Sequence, residues 1–343
     1  MRHRPLLALA AVTVLLLSGC APEPEPTETS TPSASASPTP TTDPIVAPTP
    51  AFDVSCTDVA AEMTAATGEP AGEVAEVLGV WSAPSWYPGP AQHMFQRAGG
   101  IACSSGTSER NWEVSVAPGA TALIEGAESR GGYAGEEARC EVGGYCFFQV
   151  VEGEVLVSGA VVDPALGPDD APAIKEGLRR IGAAAAASLR EVVVPESAIA
   201  GVECSRFLTD VEFGEQLGTE VHVIDGFGGW SIPAEVYQTV NGSRICYYAS
   251  GDDEYSAQGY LMLTTLPGGA WAFEQIEGEK PVEVAGADAA LTGVDEQGRT
   301  VLDVRVGTDW LRLITFQGSG ISDLAPLAST IVENFGVGRP GGQ

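Results

Sequence analysis

Two stretches of this chain, Cys56 to Leu189 and Cys204 to Phe335, carry the same features in the same order. In each, a cysteine precedes a helical stretch. A tight turn then leads to a second cysteine on a strand: Gly99-Gly100-Ile101-Ala102-Cys103 in the first stretch and Asn241-Gly242-Ser243-Arg244-Ile245-Cys246 in the second. Beyond these, the run Trp112 to Gly119 matches Tyr260 to Gly268, Gly135 to Ala138 matches Gly286 to Ala289, and Glu154 to Val157 matches Asp309 to Arg312. Matched positions stay about 150 residues apart, where chance would scatter them. A tandem duplication of one α/β unit, joined near Val192 to Gly201, is the strongest constraint on what this chain can become.

The second copy shows its local chemistry best. Leu208-Thr209-Asp210-Val211-Glu212-Phe213 fits a capping box with Thr209 as N-cap and Glu212 at the third helical position, and Leu208 and Phe213 fit a hydrophobic staple. Gly218 fits a helix stop. Val236 to Val240 and Ser243 to Tyr248 flank Asn241-Gly242, which predicts a hairpin. Gly259 to Thr265 reads as a strand, Ala270 to Ile276 as a short helix, and Val301 to Val306 with Trp310 to Phe316 as a last hairpin. Leu324, Leu327, Ile331 and Phe335 then share one helix face. The first copy closes likewise, on Ile174, Leu178, Ile181, Ala185 and Leu189. The expected class is therefore α+β: two tandem α/β-sandwich domains, residues 53–192 and 201–337, each an antiparallel sheet with helices packed on one face.

The N-terminus reads as an address. Met1-Arg2-His3-Arg4 is a positive head, Leu6 to Leu17 is almost wholly apolar, and Leu17-Ser18-Gly19-Cys20 follows. This is the layout of a secretory signal over 1–19, and the apolar run is short of the roughly 20 residues a span needs. Leu-Ser-Gly-Cys resembles the lipobox of bacterial lipoproteins. The resemblance implies cleavage before Cys20, lipidation of its thiol and anchoring on the outer face of the cytoplasmic membrane. Residues 20–52 then read as a tether. Between Ala21 and Pro50 nine positions are proline, and there is no aromatic residue, Lys or Arg, so the segment cannot bury enough apolar surface to offset its ordering entropy.

Asp plus Glu number 46 against 17 Lys plus Arg, a net charge of −29. Nucleic acid is thereby excluded as a partner, since phosphate contacts need a basic surface. The seven cysteines are an odd count for a secreted protein. Assigning Cys20 to lipid leaves six. The repeat sorts them: Cys56 with Cys103, Cys204 with Cys246, and Cys140 with Cys146 across a hairpin around Gly143-Gly144. An oxidising location favours such structural bridges.

Two cysteines bracketing a helix and hairpin, the Gly286-Ala287-Asp288-Ala289 element and the closing amphipathic helix together resemble a family of secreted actinobacterial lipoproteins whose domain is similar to the PsbP-like α/β sandwich. Cys204 to Phe335 carries the pattern better, with Leu217-Gly218 in place. Cys56 to Leu189 departs from it through the Cys140–Cys146 insertion. The resemblance implies fold and location and carries no activity over.

Chemistry-bearing motifs are scarce. Outside the signal the histidines are His93, expected to start a strand, and His222, expected in a loop, and neither has metal-ligand spacing. There is no Gly-x-Ser-x-Gly elbow and no phosphate-binding loop. Asp252-Asp253-Glu254 lacks the spacing of a calcium loop. No cofactor or metal is expected. The candidate contact residues are aromatic: Trp81, Trp86 and Tyr87 among prolines in the first copy, Phe227 and Trp230 among glycines at the equivalent place in the second. Aromatic loop residues anchor ligands and partners. The expectation is a non-catalytic envelope lipoprotein that binds a protein, cell-wall or small apolar ligand at the loop-rich end or between the domains. The alternative is a cell-wall hydrolase using a carboxylate pair.

Overall fold

The computed structural model describes residues 45–336 apart from 71, 80–88, 133–134, 136, 195, 226–230, 254–256 and 296. The signal, Cys20 and most of the tether thus lie outside the described residues, as do Trp81, Trp86, Tyr87, Phe227 and Trp230. The described residues form one compact unit.

The first half runs α1 (Cys56–Thr67), β1 (Val74–Ala75), a helical turn Pro90–His93 leading into α2 (Met94–Arg97), β2 (Ile101–Gly106), β3 (Asn111–Pro118), α3 (Ala120–Ser129), β4 (Glu137–Cys140), β5 (Tyr145–Glu152), β6 (Val155–Val162) and α4 (Ala171–Ala187). The second runs α5 (Cys204–Phe207), α6 (Asp210–Leu217), β7 (His222–Asp225), α7 (Ile232–Ala234) continued by a π-helical turn Glu235–Val240, β8 (Ile245–Ala249), β9 (Gly259–Leu266), α8 (Ala270–Phe273), β10 (Lys280–Pro281), β11 (Ala289–Val294), β12 (Thr300–Val306), β13 (Asp309–Thr315) and α9 (Ala325–Gly336).

The strands form two antiparallel sheets, in the orders β1-β2-β3-β6-β5-β4 and β7-β8-β9-β13-β12-β11-β10. Apart from the extra edge strand β10 the two orders are the same. The fold is α+β, as the periodicities predict, and the duplication reappears as identical strand connectivity. Each half keeps its own bridge from its first helix to its second strand, Cys56–Cys103 and Cys204–Cys246. Cys140–Cys146 joins directly opposite residues of β4 and β5.

Alternation along the strands sorts the cores. In β8, Cys246 and Tyr248 face one cluster with Leu327 and Ile331 of α9, while Ile245, Tyr247 and Ala249 face another. The first sheet likewise packs Val114, Val116 and Val157 under Ile174, Leu178 and Ile181 of α4. Each such aliphatic side chain, fully buried, contributes about 1.5–3 kcal/mol. The remaining cluster is shared: Met94, Phe95, Leu123 and Leu156 of the first half meet Tyr237, Met262, Trp310 and Ile314 of the second. This shared core joins the halves into one body.

Local predictions hold at the helix ends. Thr209 caps α6 reciprocally with Glu212, Leu208 and Phe213 are buried, and Gly218 adopts a left-handed conformation. Four expectations fail. Residues 236–240 are helical rather than a strand, so Asn241-Gly242 ends a helix instead of turning a hairpin. Packing decides this: Tyr237 is buried and its hydroxyl donates to the Thr265 carbonyl (2.6 Å), while Asn241 Nδ2 donates across the junction to the Met94 carbonyl (2.8 Å). Leu189 lies beyond α4 and is exposed. His93 ends a buried helical turn, whereas His222 opens β7, its Nδ1 2.8 Å from Asp252 Oδ1. Among the described residues no cluster of side chains is suited to hold a metal ion.

Candidate functional site

The candidate aromatic residues lie outside the described residues, and the elements that flank them lie within. The segment with Trp81, Trp86 and Tyr87 lies between β1 and the turn at Pro90, and that with Phe227 and Trp230 lies between β7 and α7, so the two hold corresponding places in the duplicated chain. At the junction of the halves the structure contains a cavity of about 500 Å³. That is the size of a small-ligand site.

Three walls form it. One is the end of the Pro-rich segment: Pro48, Ala51 and Phe52 are buried, Ala51 N donates to the Gly99 carbonyl (2.7 Å), and Arg190 holds the segment through the Pro50 carbonyl (3.0 Å) and Asp53 (2.6 Å). The last residues of the Pro-rich segment therefore belong to the folded body. The second wall is the helical turn with His93 and Gln96. The third, from the other half, is α8 with Trp271.

Buried polar atoms without protein partners gather here: His93 Nδ1, Gln96 Oε1 and Trp271 Nε1. Such groups cost about 1–3 kcal/mol each unless something binds them. Gln96 is oriented by its own amide, whose Nε2 donates to the Glu76 carbonyl. His93 is 9% exposed and stands edge-on to Trp271, with ring centroids 5.4 Å apart. Burial, and then the nearby Arg312 guanidinium, push the imidazole down to about 4. It is therefore neutral at physiological pH and has one donor and one acceptor nitrogen. Two other cavities, between α1 and α4 and beside β11 and α9, lack such unpartnered atoms among their lining residues.

Behind His93 lies a charged network that sequence reading missed. Asp303, fully buried in β12, accepts from Trp310 Nε1 (2.6 Å), Arg312 Nε (2.7 Å) and Arg312 Nη2 (2.7 Å). Arg312 Nη2 also donates to Glu279 Oε1 (3.2 Å). Burial first, and then the Asp303 charge, raise Glu279 to about 7. The guanidinium lies 5.6 Å from the Trp310 ring centroid. Gly89 crosses directly over Arg312 at φ 116°, and a Cβ there would come within 2.7 Å of the arginine side chain. The readable signal was the alternation of β12 and β13, which places Asp303 opposite Arg312. Charges on an inward face carry no sequence mark of burial.

The junction adds a second buried cation. Arg97 donates to the Pro267 carbonyl, and burial pushes it down to about 10 despite the Asp309 charge. Asp309 in turn accepts from Gly268 N (2.7 Å) and Ala198 N (3.2 Å), tying the inter-half linker to the second sheet.

Fold and cavity together define a class: a duplicated, disulfide-braced α+β protein with one small-ligand-sized cavity at the junction of its halves. No known family profile, curated protein or solved structure matches the chain.

Proposed function

We propose that this protein is a lipid-anchored, extracytoplasmic binding module that captures a small ligand in the cavity between its halves. The observation that carries the reading is that His93, Gln96 and Trp271, each with a buried polar atom lacking a partner, all line one cavity of about 500 Å³. The lipobox-like Leu17-Ser18-Gly19-Cys20 supports the address, and three disulfides suit an oxidising compartment. The kinship with secreted actinobacterial lipoproteins of PsbP-like fold belongs to the same proposal, resting on the sequence motifs. Protein isolated from the native envelope should release a small molecule on denaturation, detected by mass spectrometry. Gln96→Leu and Trp271→Phe should lose it; equal retention by folded variants refutes the reading.

The hydrolase alternative draws on Glu279, whose raised pKa suits a general acid, beside the carboxylate of Asp303. Against it, the Arg312 guanidinium already bonds both carboxylates and Asp303 is fully buried, out of reach of a substrate.

A further inference from the structure

The duplication supplies an internal control for the cavity. In each half the strand residue just after the second cysteine pairs with a neighbour on the edge strand: Ser104 with Ala75, Tyr247 with Ile224. The next residues, Glu76 and Asp225, are therefore equivalent. By the same count Ser55 corresponds to Glu203, each preceding the first cysteine, and Ile101 corresponds to Arg244, each two residues before the second.

In the second half these positions are closed by a cation. Arg244 Nη2 lies 3.0 Å from Glu203 Oε1, and its Nε lies 3.9 Å from Asp225 Oδ1. In the first half the arginine is replaced by Ile101, and Ser55, Glu76 and Ile101 all line the open cavity. Of the two carboxylates around Arg244, the one at Glu203 is replaced by Ser55, the one at Asp225 is kept as Glu76, and the arginine itself is gone. The guanidinium that does line this cavity, Arg190, is paired with Asp53. Around Glu76 stand further groups that suit a donor-rich positive ligand: the Gln96 Oε1 acceptor, a histidine that burial keeps uncharged, and the Trp271 ring, whose face favours cations. His93 is more than nine-tenths buried and its Nδ1 lacks a partner, as does Gln96 Oε1, so both can accept from such a ligand, whereas Trp271 Nε1 is a donor and Trp271 contributes its ring alone. The net charge of −29 favours the approach of cations to the protein as a whole.

We infer that the junction cavity binds a small organic cation with a planar amidinium, guanidinium or ammonium head, placed where the second half places Arg244. The inference rests on the binding reading above and names its ligand class.

Benzamidine, benzamide and benzoate test it, because they share one shape and differ in charge. Titration calorimetry on the full chain in detergent at pH 7.5 should show benzamidine binding at least about tenfold more tightly than benzamide, with benzoate weakest. Glu76→Gln, a change at an exposed side chain, should weaken benzamidine about fivefold or more. Ile101→Arg should abolish binding by supplying the missing guanidinium. Benzamide or benzoate binding as well as benzamidine, or full affinity in Glu76→Gln, overturns the cation assignment and leaves the cavity reading standing. Absence of binding by all three probes likewise overturns the cation assignment, and the cavity reading then stands or falls on the small molecule released from the native protein.

Discussion

His93 gives a pH prediction with a definite sign. In the folded protein its pKa is pushed down to about 4, chiefly by burial against Trp271 and Trp310. In the unfolded chain it returns to about 6.5. Below pH 6.5 the unfolded state takes up a proton that the folded state refuses, so stability is complete above that pH, falls as pH drops, and stops falling near pH 4. Going from pH 7.5 to pH 5 this single group removes about 2 kcal/mol. Glu279 works in the opposite direction: its folded pKa is raised to about 7, so its contribution improves as pH falls through 7 toward 4.5. The whole-protein profile mixes the two, and a variant comparison separates them. Urea denaturation followed by tryptophan fluorescence at pH 7.5 and pH 5.0, on wild type and His93→Gln, should show wild type losing about 2 kcal/mol more than the variant. Parallel losses, agreeing within about 0.5 kcal/mol, would mean that His93 is not held neutral in the junction and would refute the reasoning.

Other perturbations follow from the same geometry. Replacing both Cys56 and Cys103 by Ala opens a 47-residue separation and should cost about 4 kcal/mol in urea denaturation, against about 2 kcal/mol for Cys140 and Cys146 at a separation of 6; non-reducing peptide mapping should recover these pairs. Asp303→Asn leaves Arg312 buried without its main counter-charge and should cost about 3–5 kcal/mol, read as a lowered thermal midpoint. Thr209→Ala removes the α6 cap and should cost about 1 kcal/mol by the same measurement. Cys20→Ala should move the protein from the membrane fraction into the medium, since only the acyl chains would hold it there; full retention would exclude lipidation as the anchor.

Much of the fold was legible because local rules and global packing agree. The Thr209 capping box, the Gly218 stop, the final hairpin and the apolar stripe of α9 all depend on contacts within a few residues. Where a long-range contact competed, sequence reading failed. Asn241-Gly242 is a good hairpin turn in isolation, yet Tyr237 and Asn241 gain buried hydrogen bonds only if the preceding residues are helical. Register shows the same limit. Matching Glu154 with Asp309 in sequence is one residue off: the ladders set Leu156 opposite Ala117 and Trp310 opposite Leu266, making Leu156 and Trp310 equivalent. A slip of one reverses every face, and the inward direction of Asp303 and Arg312 was hidden with it.

The sequence by itself determined the duplication and the cysteine pairing that the repeat dictates, because both are matters of order and spacing along the chain. Only the tertiary structure decided that the two halves share a core, that His93 is neutral within it, and that one copy of a duplicated site is closed by Arg244 while the other lies open beside Glu76. Those properties depend on desolvation and on the approach of residues distant in the chain, and neither is written in local pattern.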